Sequence, residues 1–360
     1  MQVIINARFL TQSVTGVQRY AIELVRTLDR LIDAGEIDKC ISFTMVSPRG
    51  IRYDLDLKHI PIKQIGRLRG HLWEQIELPF YARGGLLVSL CNAAPLSKHN
   101  QIVTIHDASV FASPETYPFG FREWYKILLR GIGKTARKIV TDSHFSKSEL
   151  IRLCGMPESK ICAIHLSAEH LTAISTDESI LDKHNIRNRP FLLAVSSLNP
   201  NKNFHSIVEA ISMLDIDCDI VIAGGVNPRV FSKTTEPLPE SIKYLGYVED
   251  SELRALYQYA SCFIYPSFYE GFGLPPLEAM ACGCPVIVSN AASLPEVCGD
   301  AALYCNPHSP KDIASKISQL IKDPALQDVL RRKGLERAEQ FTWEKTARET
   351  LNIIEQAALG

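Results

Sequence analysis

Two glutamates flank a glycine loop in the segment Tyr265–Val288, which reads YPSFYEGFGLPPLEAMACGCPVIV. Glu270 directly precedes the loop that contains Gly271 and Gly273, and Glu278 follows in an apolar run of helical character. A carboxylate accepts both hydrogens of a vicinal diol, and a nucleotide sugar offers two diols, on the hexose and on the ribose, separated by a diphosphate. The spacing fits that ligand. The alternative is that both glutamates are ordinary loop and helix-end charges.

The pair Pro275–Pro276 predicts where the helix after this loop begins. Proline suits the first helical position, because its φ is preset and no N–H is lost from the helix. We therefore expect a helix from this pair through Ala281, with Glu278 in its first turn. Its free N–H groups and positive dipole end would point back at the glycine loop and form an anion site.

Other candidate residues stand at the carboxyl ends of predicted strands. Lys202 follows the apolar run Phe191–Val195, and His106 closes the run QIVTIH. A lone loop lysine is more often simply solvated, and His106 is alternatively a satisfied histidine at a strand edge, with Asp107 capping the next segment. Thr15–Gly16 opens a helical pattern after the first strand, although one glycine falls short of a dinucleotide-binding fingerprint.

Short apolar, β-branched runs alternate with helix-length amphipathic stretches, which indicates α/β domains with parallel sheets. The predicted strands are Val3–Asn6, Ile41–Val46, Leu86–Ser89, Ile102–His106, Lys138–Thr141, Ile161–Leu166, Phe191–Val195, Ile220–Ala223, Lys243–Leu245, Cys262–Pro266 and Pro285–Ser289. The predicted helices include Gln18–Leu28, Phe121–Ala136 and Thr342–Ala358. The polar stretch Ser167–Arg189 reads as a linker. We therefore predict domains at 1–170 and 171–340, and a terminal helix at 341–360 that packs toward the first domain.

Composition excludes several classes of protein. The 360 residues carry a formal net charge of −1, with 46% hydrophobic and 22% charged residues, which is typical of a soluble globular protein and gives no basic field for nucleic acid. The start, MQVIINARFL, has no signal-peptide pattern, and no apolar run approaches the length of a membrane span. The scattered cysteines fit reduced thiols in a cytoplasmic protein, with Cys282 and Cys284 as buried structural residues.

No metal site is predicted. The strings Asp54–Asp56, Asp215–Asp217 and Asp217–Asp219 have the Asp-x-Asp form that binds metal in some transferases, but we interpret them as solvated surface turns. Neither Glu270 nor Glu278 is expected to be a metal ligand.

The string EGFGLPPLEAMACGCPVIVSNAASLPEVCGDAALYCNP, which begins at Glu270, closely resembles the signature of the family 4 (group 1) retaining glycosyltransferases, with its Glu-x7-Glu motif. Similarity continues in TGVQRYAIEL, HLWEQIELP, TIHDASVF, VTDSHFSKSEL, AVSSLNPNKNF, VIAGG, LGYVEDSELRALY and FTWEKTA, so it covers nearly the whole chain. The resemblance implies the GT-B fold, in which two Rossmann-like, doubly wound domains face a central cleft and a C-terminal helix crosses back.

The resemblance also implies roles for individual residues. Glu270 would contact the donor sugar near the reacting face, and Glu278 would bind the ribose. Lys202 would hold the diphosphate, and His106 would donate a hydrogen bond to the leaving oxygen, so that Glu270, His106 and Lys202 are the expected catalytic residues. Asn201 replaces the usual arginine, so fewer cations would hold the diphosphate. Further donor-binding positions are implied at Gly271, Phe272, Gly273, Leu274, Gly16, Ser197 and Gly224.

The expected reaction is transfer of a hexose, with mannose favoured, from a nucleotide-diphosphate sugar to a saccharide or lipid-linked saccharide. The strings HLWEQIELP and TGVQRYAIEL are close to bacterial mannosyl- and rhamnosyltransferases of O-antigen and other surface polysaccharides. A GDP-sugar is the favoured donor, and no cofactor or metal is expected. The alternatives are a sugar-nucleotide epimerase or a phosphorylase on the same fold, or a binding subunit without turnover.

A basic, aromatic helix in the first domain suggests a further partner. Arg122, Lys126 and Arg130 interleave with Trp124 and Tyr125. Such a helix could rest on an anionic membrane surface at the inner face of the membrane. The alternative is a solvated face over a packed one.

Overall fold

The protein is described by a computed structural model that covers residues 1–195, 199–224 and 242–359. The chain divides into two compact units. Unit 1 consists of Met1–Leu166 together with Trp343–Gly360, and unit 2 consists of Ser167–Thr342.

Unit 1 is built on a seven-stranded parallel sheet with the order β3-β2-β1-β4-β5-β6-β7. Its strands are β1 Gln2–Asn6, β2 Ser42–Ser47, β3 Ile62–Gln64, β4 Leu86–Ser89, β5 Gln101–Thr104, β6 Lys138–Thr141 and β7 Ile161–Ala163. The central strands are buried and largely apolar, as in Val3–Ile5, because helices cover both faces of such a sheet.

The helices of unit 1 connect these strands. They are α1 Gly16–Asp33, α2 Gly70–Leu72, α3 Leu78–Tyr81, α4 Ser109–Ala112, α5 Phe119–Thr135 and α6 His144–Cys154. A π-helical turn, Trp73–Glu77, joins α2 to α3, and short 3-10 turns lie at Arg8–Thr11, Pro114–Thr116 and Glu158–Lys160. Leu128, Ile132 and Leu150 of α5 and α6 pack with Val103 and Ile139 of the sheet into one core.

Unit 2 contains a six-stranded parallel sheet with the order β10-β9-β8-β11-β12-β13. Its strands are β8 Phe191–Val195, β9 Asp219–Ala223, β10 Ile242–Gly246, β11 Cys262–Tyr265, β12 Val286–Ser289 and β13 Ala302–Cys305. Its helices are α7 Glu169–Thr172, α8 Ser179–Lys183, α9 Phe204–Ser212, α10 Asp250–Tyr259, α11 Leu274–Ala281, α12 Leu294–Cys298, α13 Pro310–Lys322 and α14 Pro324–Ala338, with a 3-10 turn at Pro200–Lys202.

Both sheets have the strand order of a doubly wound fold, and each has one switch point. Successive strands are added on one side of β1 as far as β3, and then on the other side from β4 onward. In unit 2 the same reversal lies between β8 and β11. Ligands of open parallel sheets bind outside the carboxyl ends of the strands at such a switch point.

The C-terminal helix, α15 Trp343–Leu359, belongs to unit 1 although it follows unit 2 in sequence. It packs against α1 and β6. The rings of Trp343 and Tyr20 have centroids 6.4 Å apart, and the Thr346 hydroxyl donates to the carbonyl oxygen of His165 at 2.7 Å. Among the described residues, no helix is long and apolar enough to cross a membrane.

Each of the eleven predicted strands overlaps a strand of the structure, but three other sequence interpretations were wrong. The supposed linker Ser167–Arg189 contains α7 and α8, which were missed because helices of four and five residues are too short to show periodicity. The strands β3 and β13 were also missed. Asp219 is not in a surface turn: it begins β9, is 2% exposed and pairs with Lys243 at 2.8 Å.

Candidate functional site

The amino group of Lys202 meets the carboxylate of Glu270 at the switch point of unit 2. Its Nζ donates to Oε1 at 2.7 Å and to Oε2 at 2.9 Å, and to the Tyr265 hydroxyl at 2.7 Å. The Glu270 side chain is 10% exposed and that of Lys202 is 21% exposed. Lys202 follows β8 and Glu270 follows β11, so the strand order brings together two residues that are far apart in sequence.

Backbone contacts fix the turn that carries Lys202. Asn203 has a left-handed conformation, with φ at 58°, and its Nδ2 donates to the carbonyl oxygens of Pro266 and Pro307 at 3.0 and 2.7 Å. The carbonyl oxygen of Asn201 accepts from the Phe268 amide at 2.8 Å. The turn after β8 is thereby held against the loop after β11, and Lys202 is aimed at Glu270.

Buried hydroxyls hold the glycine loop that follows Glu270. The Ser293 side chain is fully buried and lies within hydrogen-bonding distance of the carbonyl oxygens of Glu270, at 3.0 Å, and Phe272, at 2.8 Å. Gly273 has φ at +102°, and a Cβ there would lie 2.5 Å from Cδ2 of Leu294. Both the conformation and the space therefore require glycine at this position. Gly271–Leu274 leads directly into α11.

Glu278 lies in the second turn of α11, not in its first turn as predicted. The helix begins at Leu274, one residue before the Pro275–Pro276 pair, because Gly273 serves as its N-cap. Tyr257 donates its hydroxyl hydrogen to Oε2 at 3.2 Å, and the His170 ring nitrogen Nε2 lies 3.1 Å from Oε1. Glu278 is 8% exposed, so it is a buried carboxylate with side-chain partners rather than a helix-dipole charge.

Tyr265 links the surroundings of the two glutamates. Burial raises the pKa of its hydroxyl well above the ordinary value, and the negative charges of Glu270 and Glu278 raise it further. Both carboxylates therefore act on this one buried phenol. Lys202 bonds to Glu270 and not to Glu278, so the two acids have different partners.

In unit 1, His106 follows β5 and forms a buried pair with Asp142, which follows β6. The ring nitrogen Nδ1 lies 2.7 Å from Oδ2 of Asp142. Nε2 lies 3.0 Å from the carbonyl oxygen of Leu90, which can only accept, so Nε2 carries a hydrogen. The ring of Tyr20 on α1 stands edge-on to the imidazole, with centroids 5.0 Å apart.

These contacts determine the protonation of His106. Burial by itself would lower the pKa of this imidazole, but the charge and hydrogen bond of Asp142 outweigh it and raise the pKa to about 10. Both ring nitrogens are engaged by these partners. The expected hydrogen bond from His106 to a leaving oxygen would have to replace the one to Leu90.

The remaining predicted positions fall in both units. Gly16 begins α1, where the Thr15 amide donates to Oε1 of Gln18 at 3.1 Å. Gly224 directly follows β9, with φ at 132°, and its amide donates to the carbonyl oxygen of Gly246 at 2.7 Å. Ser197 lies outside the described residues.

Sequence reasoning missed the partners of the predicted acids and bases. Asp142 directly follows a predicted strand and His106 is the last residue of another, and these placements at strand ends could have identified the pair. His170 lies in the stretch that was interpreted as a linker. Tyr257 lies in an amphipathic helix pattern, where an aromatic residue is more often core. No sequence signal indicated that it would bond to Glu278.

Comparisons with known proteins agree with this architecture. Residues 176–337 match the family described as glycosyl transferases group 1. The chain is 30% identical to O-antigen chain mannosyltransferase B of Escherichia coli over 98% of this chain and 99% of that protein. It is 27% identical to O-antigen chain mannosyltransferase RfbU of Salmonella typhimurium strain LT2, over 89% and 91%.

A solved structure shows the same fold. HepE of Anabaena, crystallised with UDP and glucose, matches 99% of this chain and 100% of its own with a TM-score of 0.77 at 15% identity. The two parallel-sheet units accordingly have the GT-B fold. Since a relative at 30% identity spans nearly all of both sequences, the chain belongs to the group 1 glycosyltransferases.

Proposed function

We propose that the protein transfers a hexose, with mannose favoured, from a nucleotide-diphosphate sugar to a hydroxyl group of a saccharide or lipid-linked saccharide. The observation that carries this proposal is the Lys202–Glu270 pair at the switch point of unit 2, next to the loop held by Ser293. A cation and a carboxylate at one point suit a ligand that presents a diphosphate and sugar hydroxyls together.

The Lys202 amino group has three N–H bonds, and three acceptors lie within reach: two oxygens of Glu270 and the Tyr265 hydroxyl. Binding a diphosphate would replace one or more of these acceptors with phosphate oxygens. The Glu270 oxygens released by Lys202 could then accept hydroxyl hydrogens of the donor sugar, while the Ser267 hydroxyl still donates to Oε1. One exchange would therefore prepare both residues for the substrate, and the charge on Lys202 would stabilise the departing nucleoside diphosphate.

We propose that the transfer retains the anomeric configuration and needs no divalent metal. Glu270 and Glu278 are committed to hydroxyl binding in this scheme, so neither acts as an inverting base. The acceptor hydroxyl oxygen would bond to the anomeric carbon from the face that the nucleoside diphosphate leaves, as the bond from that carbon to the phosphate oxygen breaks. The hydroxyl proton would pass to the departing phosphate oxygen, so the step needs no protein base. The lysine, the loop amides and the N-terminus of α11 would stabilise the negative charge of the departing diphosphate, which a metal ion stabilises in other transferases.

Mannose and the O-antigen assignment come from the names of the two relatives, both of which are called O-antigen chain mannosyltransferases. A GDP-sugar is the donor we favour. An epimerase or a binding subunit without turnover is less well supported, because both relatives are named as transferases.

The decisive experiment is a donor panel. GDP-mannose, GDP-fucose, UDP-glucose, UDP-galactose and dTDP-rhamnose are tested for thermal stabilisation, and then for release of free nucleotide with and without α-linked mannobiose as acceptor, each with and without EDTA. We expect GDP-mannose to give acceptor-dependent release that survives EDTA, with an α-linked product by NMR. Stabilisation without release would favour a binding subunit, conversion to an epimeric sugar nucleotide would favour an epimerase, and loss of activity in EDTA would refute the metal-independent scheme.

We also propose that unit 1 rests on the inner face of the membrane, where a lipid-linked acceptor would be found. Leu72, Ile76 and Phe80 recur every four residues along the helical segment 70–81, and their exposed fractions are 62%, 61% and 59%. Such spacing places them on one side of the helix. Phe119 and Ile127 of α5 are 72% and 62% exposed.

Basic residues also lie on α5, the helix that carries Phe119 and Ile127, and their charge suits an anionic lipid surface. Arg122 and Lys126 of α5 share Glu123 as an ion-pair partner, at 2.7 and 3.6 Å, so part of their charge is already balanced. Vesicles of phosphatidylglycerol and phosphatidylcholine test the proposal. Replacing Arg122, Lys126 and Arg130 by glutamine should lower binding to the anionic vesicles, and so should Ile76→Gln with Phe80→Gln. Unchanged binding in both variants would exclude this surface.

A further inference from the structure

A second buried ion pair lies at the switch point of unit 1, between β1 and β4. Arg8, just after β1, donates through Nε to Oε1 of Glu74 at 3.2 Å. Asn6, the last residue of β1, donates through Nδ2 to the same oxygen at 2.7 Å, and also lies 3.4 Å from the hydroxyl of Ser89 at the end of β4. Glu74 is 1% exposed, and Arg8, Asn6 and His71 hold its carboxylate.

The backbone that carries Glu74 is unusual. Glu74 lies in the π-helical turn Trp73–Glu77, and such turns are frequent at functional sites. The turn is held from both ends: the Trp73 ring nitrogen donates to the carbonyl oxygen of Ile65 at 2.9 Å, and the Glu77 carboxylate accepts from the Arg67 and Leu68 amides at 3.0 and 3.1 Å. A firmly held, irregular turn thus delivers one carboxylate to the switch point.

Arg8 retains donors beyond this ion pair. A guanidinium has five N–H bonds, and the one on Nε is used for Glu74. The terminal nitrogens carry the other four, and Tyr125 is one acceptor for them: burial raises the pKa of Tyr125, and the positive charge of Arg8 and a hydrogen bond from Arg8 oppose that shift. The Arg8 side chain keeps 10% exposure, so a ligand at the switch point could reach its terminal nitrogens.

Aromatic rings stand beside the ion pair. The imidazole of His71 lies 3.1 Å from Oε2 of Glu74 through Nδ1 and is edge-on to Tyr125, with ring centroids 5.6 Å apart. The Trp124 ring is 6.1 Å from His71. Its Nε1 is buried and has no hydrogen-bond partner among the described residues.

We infer that Arg8, His71 and Tyr125 bind the terminal sugar of the saccharide acceptor, with Glu74 as the residue that positions Arg8. This inference rests on the proposed transferase function and assigns the acceptor side of it to the β1/β4 switch point. Terminal N–H groups of Arg8 would donate to hydroxyl oxygens of the sugar, and the aromatic rings would cover its apolar C–H face.

The charge of the cluster favours a neutral sugar over an anion. Glu74 already balances Arg8 at 3.2 Å, so a phosphate bound to the outer nitrogens would be repelled by a carboxylate that it cannot displace. Asn6, His71 and Arg8 all hold that carboxylate in place. Hydroxyl oxygens accept hydrogen bonds without adding charge. The Lys202–Glu270 pair differs in this respect, because a lysine and the Ser267 hydroxyl hold its carboxylate instead of an arginine, an asparagine and a histidine.

Binding of α-linked mannobiose to the intact protein, measured by saturation-transfer NMR, tests the inference. The measurement needs no turnover. Arg8→Lys retains a cation for Glu74 but loses the fork of donors. We expect its Kd for mannobiose to rise about 10-fold or more, while the affinity for the donor nucleotide and the midpoint of thermal unfolding stay near wild type. Tyr125→Leu should weaken mannobiose binding several-fold.

The matched control is Arg52→Lys, because Arg52 is an exposed arginine of the same unit that donates to the Ser13 hydroxyl. It should bind mannobiose as the wild type does. Wild-type affinity in both Arg8→Lys and Tyr125→Leu, or no mannobiose binding by the wild type, would overturn the inference. So would inorganic pyrophosphate binding that Arg8→Lys abolishes. The donor panel is a separate measurement, so failure of the transferase proposal would be recognised independently.

Discussion

The switch points of the two units carry similar ion pairs, but the carboxylates of these pairs differ in their burial and in the side chains that hold them. In unit 1 the cation Arg8 follows the first strand of the sheet, and in unit 2 the cation Lys202 follows the first strand of its sheet. Each meets a glutamate brought from a later segment, Glu74 or Glu270, with contacts of 3.2 Å and 2.7 Å. The same topology thus produces the same chemical pair twice.

The difference lies in the partners of the carboxylates. Glu74 is 1% exposed and is held by an arginine, an asparagine and a histidine. Burial alone would raise its pKa, but the hydrogen bond from His71 and the charge of Arg8 outweigh burial and lower the pKa. Glu270 is 9% exposed, and lysine is its cationic partner. The Ser267 hydroxyl also donates to Glu270. We therefore expect Glu74 to stay fixed, and we expect Glu270 to exchange Lys202 for a substrate hydroxyl, as proposed above.

The largest effect is expected from Glu270→Gln. Glutamine keeps the shape but offers one acceptor oxygen, no charge to balance Lys202 and a poorer partner for sugar hydroxyls. We expect kcat for transfer to fall on the order of 100-fold or more, with a much smaller change in donor Kd measured by titration calorimetry.

Glu336→Gln is a suitable control, because Glu336 is an exposed acid of the same unit that pairs with Arg332. Its kinetics should match the wild type. If Glu270→Gln weakened donor binding as much as turnover, Glu270 would be a binding residue, and the proposed exchange of its partner during the reaction would be wrong.

A second prediction concerns the His106–Asp142 pair, which contacts the residue after β4 and so supports the switch point of unit 1. The pKa of His106 is about 10 in the folded protein, and about 6.5 in an unfolded chain. Its contribution to stability is complete below the unfolded pKa and is lost as pH rises toward 10. Each pH unit in that window costs about 1.4 kcal/mol of stability.

Asp142→Asn removes the cause of this shift, so burial should then hold the pKa of His106 below its ordinary value. NMR titration of labelled histidine should show His106 protonated from pH 7 to 9 in the wild type and neutral in the variant. Chemical unfolding should show a smaller loss of stability over that range in the variant. An identical pH slope in both proteins would mean that the pair does not hold the proton.

Most of the described strands could be predicted from sequence, because buried parallel strands are largely apolar and differ sharply from their polar surroundings. The edge strands β3 and β13 could not, because they are less buried. Glu270 and Lys202 could be assigned to a site, since both follow buried, largely apolar strands. The contact between them could not, because it depends on the order of the strands in the sheet. The order of the strands in the sequence does not show that β8 and β11 are neighbours in the sheet.

The buried position of Glu74, in contrast, could not be predicted from sequence. HLWEQIELP was recognised only as a family string, because a carboxylate between Trp73 and Leu78 looks like an exposed position of an amphipathic helix. The π-helical turn rotates Glu74 inward, and local sequence does not reveal such a turn. The buried histidine His170 was missed because α7 has four residues.

Glu74→Gln should have a smaller effect than Glu270→Gln on chemistry but a larger one on folding. Removing the charge leaves Arg8 beside a neutral amide in a buried site, which should lower the free energy of unfolding by about 2 kcal/mol. Urea unfolding measures this. The double variant with Arg8→Met removes both charges and should recover most of the stability. Equal losses in the single and double variants would mean that the ion pair is not the source of the effect.

The smallest effect is expected from Glu278→Gln, and it separates the two acids of unit 2. Tyr257 can still donate to the glutamine oxygen, so the fold should be kept. If Glu278 anchors the ribose, loss of its second acceptor should raise donor Kd about 10-fold, equivalent to 1.4 kcal/mol, with kcat changed less than about twofold because the contact is the same in ground and transition states. Calorimetry gives Kd and saturating-donor kinetics give kcat. A fall in kcat as large as that of Glu270→Gln would place Glu278 at the reacting bond and remove the distinction between the acids.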